Sequence, residues 1–256
     1  LPSLKRILMA GAPVPPALIE QYRDILTDGD VYTPFGATEA LPIAMISGNE
    51  ILSETAEKTE QGRGMCVGRP TQGTTIRIIE IREAPIPEWD PALVLPGGQV
   101  GEIVVKGPVV TRRYLNRPQQ NAEAKIQEGE EVWHRMGDLG YVDDGGRLWF
   151  CGRKKHRVET AQGLLLPVQC EAIFNQHPAV ARTALVGVGE MGQQRPVLIV
   201  EPDEGRIMGD RSAQATMVQE LLTLGAAHEI TQEIQDVLFY DDFPVDVRHN
   251  AKNQRE

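Results

Sequence analysis

The sequence predicts a protein of the α/β class followed by an α+β domain, and three observations support that prediction. The first 45 residues alternate apolar runs with one amphipathic segment, the middle contains several short β-rich runs, and the last hundred residues mix helical and strand patterns. A length of 256 residues is sufficient for two domains, each with its own core. The 25 glycines and 18 prolines favour frequent turns, and therefore short strands, over a helical bundle.

The region 1–58 is predicted to be a piece of an α/β layer. Its first apolar run, LKRILMAG, ends at the turn GAPVPP, as expected for a buried strand that leads into a helix. In PPALIEQYRDIL, proline stands at the helix entrance, and apolar residues recur near helical spacing at Ala17, Leu18, Tyr22 and Ile25. VYTPF is predicted to be a second strand, with GATEA at its carboxyl end.

The region 59–151 differs because β-rich runs dominate it. TTIRIIEI, GEIVVKG and RLWFCG are strand candidates separated by glycine-containing turns, and 83–98 is a Pro-rich loop. This pattern predicts a small β-barrel or a twisted antiparallel unit. Together with 1–58 it is expected to form a first domain, 1–151.

The region 152–256 is predicted to be a compact α+β domain, with the boundary at 151–155. A helix is expected in PVQCEAIFNQHP, beginning at Pro167 and ending near Pro178. ARTALVGV and RPVLIVEPD are predicted strands joined by a turn. MVQELLTLGAA is a predicted helix, and IQDVLFYDDFP is a predicted last strand.

The composition argues against several classes of function. Nucleic-acid binders usually carry a basic surplus, whereas this chain has a net charge of −10, so no nucleic-acid partner is expected. The three cysteines, Cys66, Cys151 and Cys170, form no CxxC pair, which favours a reduced cytoplasmic location over a disulfide scaffold or a zinc site. No apolar run approaches the roughly 20 residues that a membrane-spanning helix needs.

Two glycine-containing segments near the start are candidate ligand contacts. In GATEA, Gly36 allows close backbone approach, Thr38 offers a hydroxyl to phosphate, and Glu39 offers hard oxygen ligands to magnesium. Strand ends of α/β layers bind ligands, but Thr and Glu are also common in strand-to-helix caps, and alone the cap is the stronger interpretation. The turn GAPVPP (11–16) could lie against a nucleobase, although alone it is only a turn.

Polar residues in the stretch 133–159 and near the end are further candidates. Asp138, in HRMGDLG, is either a turn residue or a bidentate acceptor for ribose hydroxyls. GRKKHR (152–157) is either a solvated charge run or, through Arg153, a planar donor to phosphate or ribose. Lys252, in HNAK, is either an ordinary surface lysine or a cation that a mobile segment brings to an anion.

Taken in order, GAP, GATE, GEIVVKG, GD, GR and the late lysine resemble the motif series of the adenylate-forming superfamily over essentially the whole chain. This superfamily contains acyl-CoA synthetases, the adenylation domains of nonribosomal peptide synthetases, and luciferases. The resemblance implies an ATP-dependent, AMP-forming enzyme that uses magnesium. It also implies that the chain is the C-terminal part of such an enzyme, with 152–256 as a mobile lid.

The resemblance further implies roles for individual residues. TPFGATE is similar to the family's aromatic-Gly-x-Thr-Glu loop, so Thr38 is expected to hold phosphate and Glu39 to bind magnesium. Asp138 is expected to bind the ribose hydroxyls with help from Arg153. The remaining nucleotide contacts are expected from the adenine turn Gly11, Ala12 and Pro13 and from the loop residues Thr33, Phe35 (where Tyr is common) and Gly36.

Two lysines receive roles from the same resemblance. Lys155 lies two residues beyond Arg153, at the hinge about which the lid of the family rotates between half-reactions. Lys252, in NAKNQRE, is similar to the lid lysine that bridges the carboxylate and the α-phosphate during adenylation. Thr38, Glu39 and Lys252 are therefore the predicted catalytic residues.

The sequence departs from the family pattern in two places. The Ser/Thr/Gly-rich phosphate loop that ends in Pro-Lys-Gly does not occur in it, so we expect an incomplete fragment that is inactive by itself. Many CoA ligases continue the Gly-Arg motif with Lys-Thr-Gly-Gly-Glu-Asn, whereas here Glu159 replaces the lysine and Gln162 replaces a glycine. A carboxylate and a longer side chain are expected to oppose CoA entry electrostatically and sterically.

One branch of the superfamily resembles the segments HRMGDLGY, GRLWFCGRKKHRVET and FPVDVRHNAK most, namely the bacterial olefin β-lactone synthetases (the OleC type). That resemblance implies adenylation of a long-chain β-hydroxy fatty acid, intramolecular closure of a β-lactone, and association with other hydrocarbon-biosynthesis enzymes. Two alternatives stay open. One is a long-chain acyl-CoA synthetase, and the other is a non-catalytic module that binds AMP or partner proteins.

Overall fold

The computed structural model describes residues 3–203 and 209–244, and the predicted catalytic Lys252 lies outside them. The chain divides into two compact units. Unit 1 contains the described residues up to Ala56 and the segment Met65–Lys154. Unit 2 contains Glu57–Gly64 and the described residues from Lys155 onward. The sequence pattern gives no indication that Glu57–Gly64 belongs with the C-terminal residues.

The helical segments, in chain order, are short except for two. They are α1 (Pro16–Ile25), α2 (Gly48–Glu50), a π-helical turn (Ile51–Thr55), α3 (Ala56–Lys58), a second π-helical turn (Thr59–Arg63), a 3-10 turn (Pro91–Leu93), α4 (Pro118–Ala124), a 3-10 turn (Lys154–His156), α5 (Pro167–Phe174) and α6 (Arg211–Ala226). Proline begins α1, α4 and α5, where its missing N–H costs no helical hydrogen bond.

A single sheet of nine strands organises the described part of unit 1. The strands are β1 (Arg6–Leu8), β2 (Asp30–Ala37), β3 (Ala40–Ser47), β4 (Met65–Pro70), β5 (Thr75–Ile79), β6 (Gly101–Lys106), β7 (Lys125–Glu128), β8 (Glu131–Val142) and β9 (Leu148–Arg153). Their order is β1-β2-β3-β4-β9-β8-β6-β5, and β7 pairs with β8. Only the β1–β2 pair among these neighbours is parallel.

The strand–helix–strand start is present as β1, α1 and the parallel strand β2. The buried side of α1 differs from the apolar spacing in the sequence. Ile19 is the buried residue of the helix, whereas Leu18 and Ile25 are exposed. The buried side of the helix is therefore rotated, because Ile19 packs against Gly48, where a Cβ would lie 2.6 Å from Ile19 Cγ2.

The β-barrel that the sequence suggests for 59–151 is wrong, because the sheet is open. The three predicted strands exist as β5, β6 and β9. However, β4 pairs with β3 on one side and with β9 on the other, so these strands continue the sheet of the first region. Short β runs with polar turns are common to open sheets and barrels, and the partner of each edge strand decides between them.

The core of unit 1 lies along the middle of this sheet. A cluster of buried side chains from β3, β4, β5, β6, β8 and β9 includes Ile43, Ile103 and Leu148, each with no exposed surface. A second cluster contains Trp133, which stacks on Trp89 with ring centroids 4.2 Å apart. These clusters fix the strands whose ends carry the candidate functional residues.

Unit 2 has the predicted mixture of helices and strands. Its strands are β10 (Val158–Glu159), β11 (Leu164–Leu165), β12 (Val180–Val188), β13 (Arg195–Pro202) and β14 (Asp236–Phe239). β12 and β13 form the expected antiparallel hairpin, and β14 pairs with β13 in parallel. Phe174 of α5 is fully buried, and a side chain at Gly225 of α6 would lie 2.9 Å from its ring, so the two helices meet at a glycine.

The three cysteines are buried thiols, and the described helices are too short or too polar to span a membrane. Cys66, Cys151 and Cys170 are buried and form no disulfide. Burial raises the pKa of the Cys66 thiol to about 11 and those of Cys151 and Cys170 to about 12, so all three stay protonated at neutral pH. Within the described residues, no helix is long and apolar enough to cross a membrane.

Candidate functional site

The segment GATEA forms a tight hairpin turn, not the strand-to-helix cap considered as an alternative. Ala37 at the end of β2 pairs with Ala40 at the start of β3, so Thr38 and Glu39 occupy the turn. Gly36 is required because a Cβ there would lie 2.3 Å from the carbonyl oxygen of Ala40. Thr38 is exposed, and its hydroxyl makes no hydrogen bond to any described residue. The turn therefore presents a hydroxyl and a carboxylate at one corner of the sheet.

The earlier residues of this loop belong to β2. Thr33 pairs with Ile46, and Phe35 pairs with Ala44 of β3. The Phe35 ring also lies 5.5 Å from the ring of Phe150 in β9, centroid to centroid. These contacts anchor the strand before the turn, so the Thr38 and Glu39 backbone positions are set by the sheet.

Glu39 is held by a second segment of unit 1 at both its backbone and its side chain. The N–H of Thr111 donates to the carbonyl oxygen of Glu39 at 2.8 Å. The hydroxyl of Tyr114 donates to Glu39 Oε1, also at 2.8 Å. The other carboxylate oxygen, Oε2, accepts no hydrogen bond from any other described residue, and the backbone N–H of Glu39 itself also contacts the carboxylate.

Lys125 and His134 lie next to this arrangement and are paired across β7 and β8. Lys125 Nζ donates to the carbonyl oxygen and the hydroxyl oxygen of Thr111, at 2.5 Å and 3.2 Å. It also lies 5.4 Å from the centre of the Tyr114 ring, within cation–π range. His134 Nδ1 is 3.1 Å from the carbonyl oxygen of Ala124, which fixes the orientation of the imidazole.

The electrostatics of this group favour an ionised Glu39. Burial opposes ionisation of Glu39, but the hydrogen bonds from Tyr114 and from the Glu39 backbone, with a smaller contribution from the nearby Lys125, outweigh it and leave its pKa below the ordinary value. Burial lowers the pKa of Lys125 to about 8, against the opposing attraction of Glu39. Burial, assisted by repulsion from Lys125, lowers the pKa of His134 to about 4, so this imidazole is neutral at pH 7. Burial and the hydrogen bond to Glu39 raise the pKa of Tyr114 to about 12.

The donors present fit a magnesium ion that is coordinated jointly by one protein carboxylate, the nucleotide phosphates and water. Within the described residues, no three His, Cys, Asp or Glu side chains are close enough together to hold a metal by themselves. A magnesium ion in a nucleotide site commonly has only one or two protein carboxylates, with phosphate and water completing its coordination. The ionised Glu39, whose Oε2 accepts no hydrogen bond from another described residue, has the charge and the oxygen atom that such an ion requires.

Asp138 and Arg153 meet directly across two neighbouring strands. They are register partners on β8 and β9, and Arg153 Nη1 lies 2.7 Å from Asp138 Oδ1. The Asp138 side chain is 5% exposed, whereas that of Arg153 is 49% exposed. A buried carboxylate with a cation at its open side can accept hydrogen bonds from vicinal hydroxyls while the guanidinium contacts an anion.

The adenine turn follows β1. Gly11 has a φ of 100°, which favours glycine, and it is exposed together with Pro13, while Ala12 is half-buried. The N–H of Met9 donates to the carbonyl oxygen of Tyr32, so the chain enters this turn along β2. The structure thus leaves the turn at the edge of the sheet that also carries the Gly36–Glu39 hairpin.

Lys155 and the residues after it are placed in unit 2. Lys155 begins the second segment of that unit, is exposed, and makes no hydrogen bond or ion pair with the described residues. Glu159 differs from expectation, because its Oε1 lies 2.6 Å from Nε of the buried Arg157. This pairing balances the carboxylate charge, so the electrostatic part of the argument against CoA is weaker than the sequence suggests. Gln162 is exposed, and the steric part is unaffected.

Sequence reasoning did not identify Thr111, Tyr114, Lys125 or His134. A lysine in a short strand is ordinarily solvated, so Lys125 carries no signal of its own. Lys125 and His134 share one face of the hairpin because they are paired across β7 and β8, and the sequence carries no clear alternation that would have indicated this.

The comparisons with known proteins agree with the motif series. The AMP-binding enzyme family matches residues 1–115. An olefin beta-lactone synthetase of Xanthomonas campestris is 51% identical over 262 aligned positions, which cover 100% of this chain and 46% of that protein. The chain therefore spans about half the length of the curated relatives it matches.

Solved structures show the same fold. The amide bond synthetase McbA from Marinactinospora thermotolerans superposes with a TM-score of 0.74 at 23% identity, over 99% of this chain and 46% of that one. The O-succinylbenzoate coenzyme A synthetase of Bacillus subtilis, determined with ATP and magnesium, gives 0.69 at 23% identity, over 98% and 46%. Over its whole length, this chain is related to the adenylate-forming superfamily, with close similarity to the olefin beta-lactone synthetases.

Proposed function

We propose that the complete protein activates a carboxylic acid with ATP, and that its substrate is a long-chain β-hydroxy fatty acid. The observation that carries this proposal is the 51% identity to an olefin beta-lactone synthetase across the entire chain. The local geometry supports it, because the Glu39 turn and the Asp138–Arg153 pair supply a carboxylate for a magnesium–phosphate group and an acceptor for a ribose diol.

The first half-reaction is adenylation. A carboxylate oxygen of the acid attacks the α-phosphorus of ATP, the bond to the bridging oxygen breaks, and pyrophosphate leaves. Two anions must meet, so positioning and charge compensation carry most of the catalysis. Thr38 would contact phosphate, Glu39 would hold the magnesium ion, and Lys252 would bridge the carboxylate and the α-phosphate. Bound magnesium offsets negative charge on the phosphates.

The nucleotide is held by other residues of the chain. Asp138 would accept hydrogen bonds from the ribose hydroxyls, with Arg153 beside it. Gly11, Ala12 and Pro13 would line the adenine, and Thr33, Phe35 and Gly36 would shape the loop around the phosphates. Two domains, 1–151 and 152–256, would rotate about Lys155 between the half-reactions.

The second half-reaction closes the ring. The β-hydroxyl oxygen attacks the carbonyl carbon of the acyl adenylate, the bond to the AMP phosphate breaks, and the hydroxyl proton is lost. The product is a four-membered β-lactone, which fits a role in olefin biosynthesis alongside other hydrocarbon-forming enzymes. An internal nucleophile needs no CoA channel, and the bulk of Gln162 agrees with that.

The test uses the full polypeptide that the gene encodes, with ATP, magnesium and a β-hydroxy fatty acid. We expect AMP, pyrophosphate and a β-lactone without CoA. The matched control is the same acid without its β-hydroxyl, which should release pyrophosphate and give no lactone. A thioester formed only after CoA is added would instead support a long-chain acyl-CoA synthetase. AMP binding without pyrophosphate release would support a non-catalytic module.

A further inference from the structure

We infer that Tyr114 is a positioning residue for Glu39: its hydroxyl holds Oε1 of the carboxylate and leaves Oε2 for the metal–nucleotide complex. The inference rests on the proposed role of Glu39 as the magnesium carboxylate. It adds a set of residues from the segment 111–125, which lies far from the Glu39 turn in the sequence. The hydrogen bond that carries it spans 75 positions of the chain.

The backbone of Tyr114 is itself held by hydrogen bonds to the Asn121 side chain. Asn121 Oδ1 accepts from the N–H of Tyr114 at 2.7 Å, and Asn121 Nδ2 donates to the Tyr114 carbonyl oxygen at 2.9 Å. One side chain thus holds both polar groups of one residue's backbone. A donor fixed in this way loses little further conformational freedom when its hydroxyl meets the carboxylate.

Lys125 closes the network from the other side. Its Nζ is held by Thr111 and lies 5.4 Å from the centre of the Tyr114 ring. Thr111 in turn donates its N–H to the Glu39 carbonyl oxygen. These contacts form one continuous circuit that begins at the Glu39 backbone and returns to the Glu39 carboxylate. It passes through Thr111, Lys125 and Tyr114.

The residues of this circuit would contact the carboxylate that binds the metal, and not the metal itself. Residues that hydrogen-bond to ligating carboxylates fix their orientation, and loss of such a partner typically reduces metal affinity by about 10- to 100-fold. A purely structural role for the Tyr114 hydroxyl predicts something different, because Glu39 is half-exposed and water can replace the lost donor. The two roles separate in the metal dependence of nucleotide binding.

The experiment compares Tyr114→Phe with the wild type in the full polypeptide that the gene encodes. Calorimetry measures the ATP dissociation constant with saturating magnesium and with a chelator. The readout is the ratio of the constant measured with chelator to the constant measured with magnesium, which is the factor by which magnesium tightens ATP binding. We expect the substitution to reduce that ratio by about tenfold, while AMP affinity without metal changes less than twofold. Adenylation should show a matching increase in the magnesium concentration for half-maximal rate, with kcat recovered at saturating magnesium.

Two further variants make the result decisive. Tyr22→Phe, in α1, removes a hydroxyl with no hydrogen-bond partner among the described residues and should leave the ratio unchanged. Lys125→Gln removes the cation beside the ring and should lower the ratio by a smaller factor, which tests the circuit independently if Tyr114→Phe folds poorly. A wild-type ratio in a folded Tyr114→Phe would overturn the inference, and so would a wild-type ratio in Lys125→Gln if Tyr114→Phe does not fold.

Glu39→Gln separates this inference from the proposed function on which it rests. If Glu39→Gln abolishes the magnesium effect on ATP binding and Tyr114→Phe leaves it intact, the metal assignment stands and only the positioning role fails. If Glu39→Gln also retains the wild-type ratio, the metal assignment itself is wrong.

Discussion

Two carboxylates of unit 1, Glu102 and Glu39, differ in how completely the protein satisfies them. Glu102 Oε1 accepts from Arg135 Nε at 3.1 Å, and its Oε2 accepts from Arg135 Nη2 at 2.7 Å and from Lys154 Nζ at 3.2 Å. Among the described residues, Glu39 accepts one side-chain hydrogen bond from another residue, at Oε1, and none at Oε2. The Glu102 side chain is 2% exposed, whereas Glu39 is half-exposed.

The difference shows how a structural carboxylate and a binding carboxylate can be distinguished in one sheet. Arg135 is also hydrogen-bonded to carbonyl oxygens of Arg82, Ala84 and Glu123, so the Glu102 pair ties a long loop to the sheet interior. Both Glu102 oxygens accept from protein donors, one at Oε1 and two at Oε2, so the protein itself occupies this carboxylate. Glu39 has the opposite arrangement, because the protein fixes one oxygen and leaves the other.

The largest effect on stability is expected from Glu102→Gln. Removing this charge leaves the guanidinium of Arg135, whose side chain is 4% exposed, without its counterion. Breaking such a buried pair from one side costs about 3 to 5 kcal/mol. Urea unfolding followed by tryptophan fluorescence measures it in unit 1 alone, because Trp89, Trp133 and Trp149 all belong to that unit.

Glu80→Gln is the matched control for that measurement. Glu80 pairs with Arg82, and both side chains are about half exposed, so the change should cost less than about 1 kcal/mol. Equal losses in the two variants would show that burial does not distinguish these carboxylates, and the comparison with Glu39 would lose its basis.

A smaller effect, specific to the Glu39 side of the comparison, is expected from pH. The pKa of His134 is lowered by burial to about 4 in the folded protein, below the ordinary value of 6.5. Between these values the unfolded chain binds more protons, so stability is complete above pH 6.5 and falls as pH drops towards 4. Relative to His134→Asn, which keeps an N–H donor for Ala124, the wild type should lose on the order of 2 kcal/mol by pH 4.

The measurement for this prediction is a series of urea unfolding curves between pH 7 and pH 4 for both proteins. Carboxylates that titrate in this range do so in both, so the difference isolates His134. A difference that stays constant with pH would mean that the pKa of His134 is the same in the folded and unfolded chain, so its burial would not disfavour the protonated form.

Much of the fold could be predicted from the sequence, because local signals determine it. Proline at the start of α1 and α5, and the turns that separate β5, β6 and β9, place these elements correctly, whereas β3, β4, β7, β8 and α4 were not predicted. Whether the sheet is open or closed into a barrel could not be predicted, since it depends on the pairing of β4 with both β3 and β9. The transfer of Glu57–Gly64 to unit 2 likewise depends on tertiary contacts, such as the hydrogen bond from Gln169 to the carbonyl oxygen of Gly62.

The candidate site shows the same division. Asp138 and Arg153 are 15 positions apart in one hairpin, so their proximity follows from strand pairing that the sequence indicates. Tyr114 reaches Glu39 across 75 positions, and no periodicity links these residues. Resemblance to a family identified the residues that would contact nucleotide, whereas only the three-dimensional arrangement identified the residues that hold them.

The smallest effect on stability is expected at Glu39 itself, and it gives the sharpest contrast with Glu102. In Glu39→Gln the amide oxygen can still accept from the Tyr114 hydroxyl, and the half-exposed site can be solvated, so unfolding free energy should change by less than about 1 kcal/mol. The same substitution should remove the magnesium dependence of ATP binding. Tryptophan fluorescence in urea and calorimetry on the same preparation measure both quantities. A stability loss as large as that of Glu102→Gln would make Glu39 a structural carboxylate, since a group that the fold depends on for several kcal/mol would not have an oxygen left for a ligand.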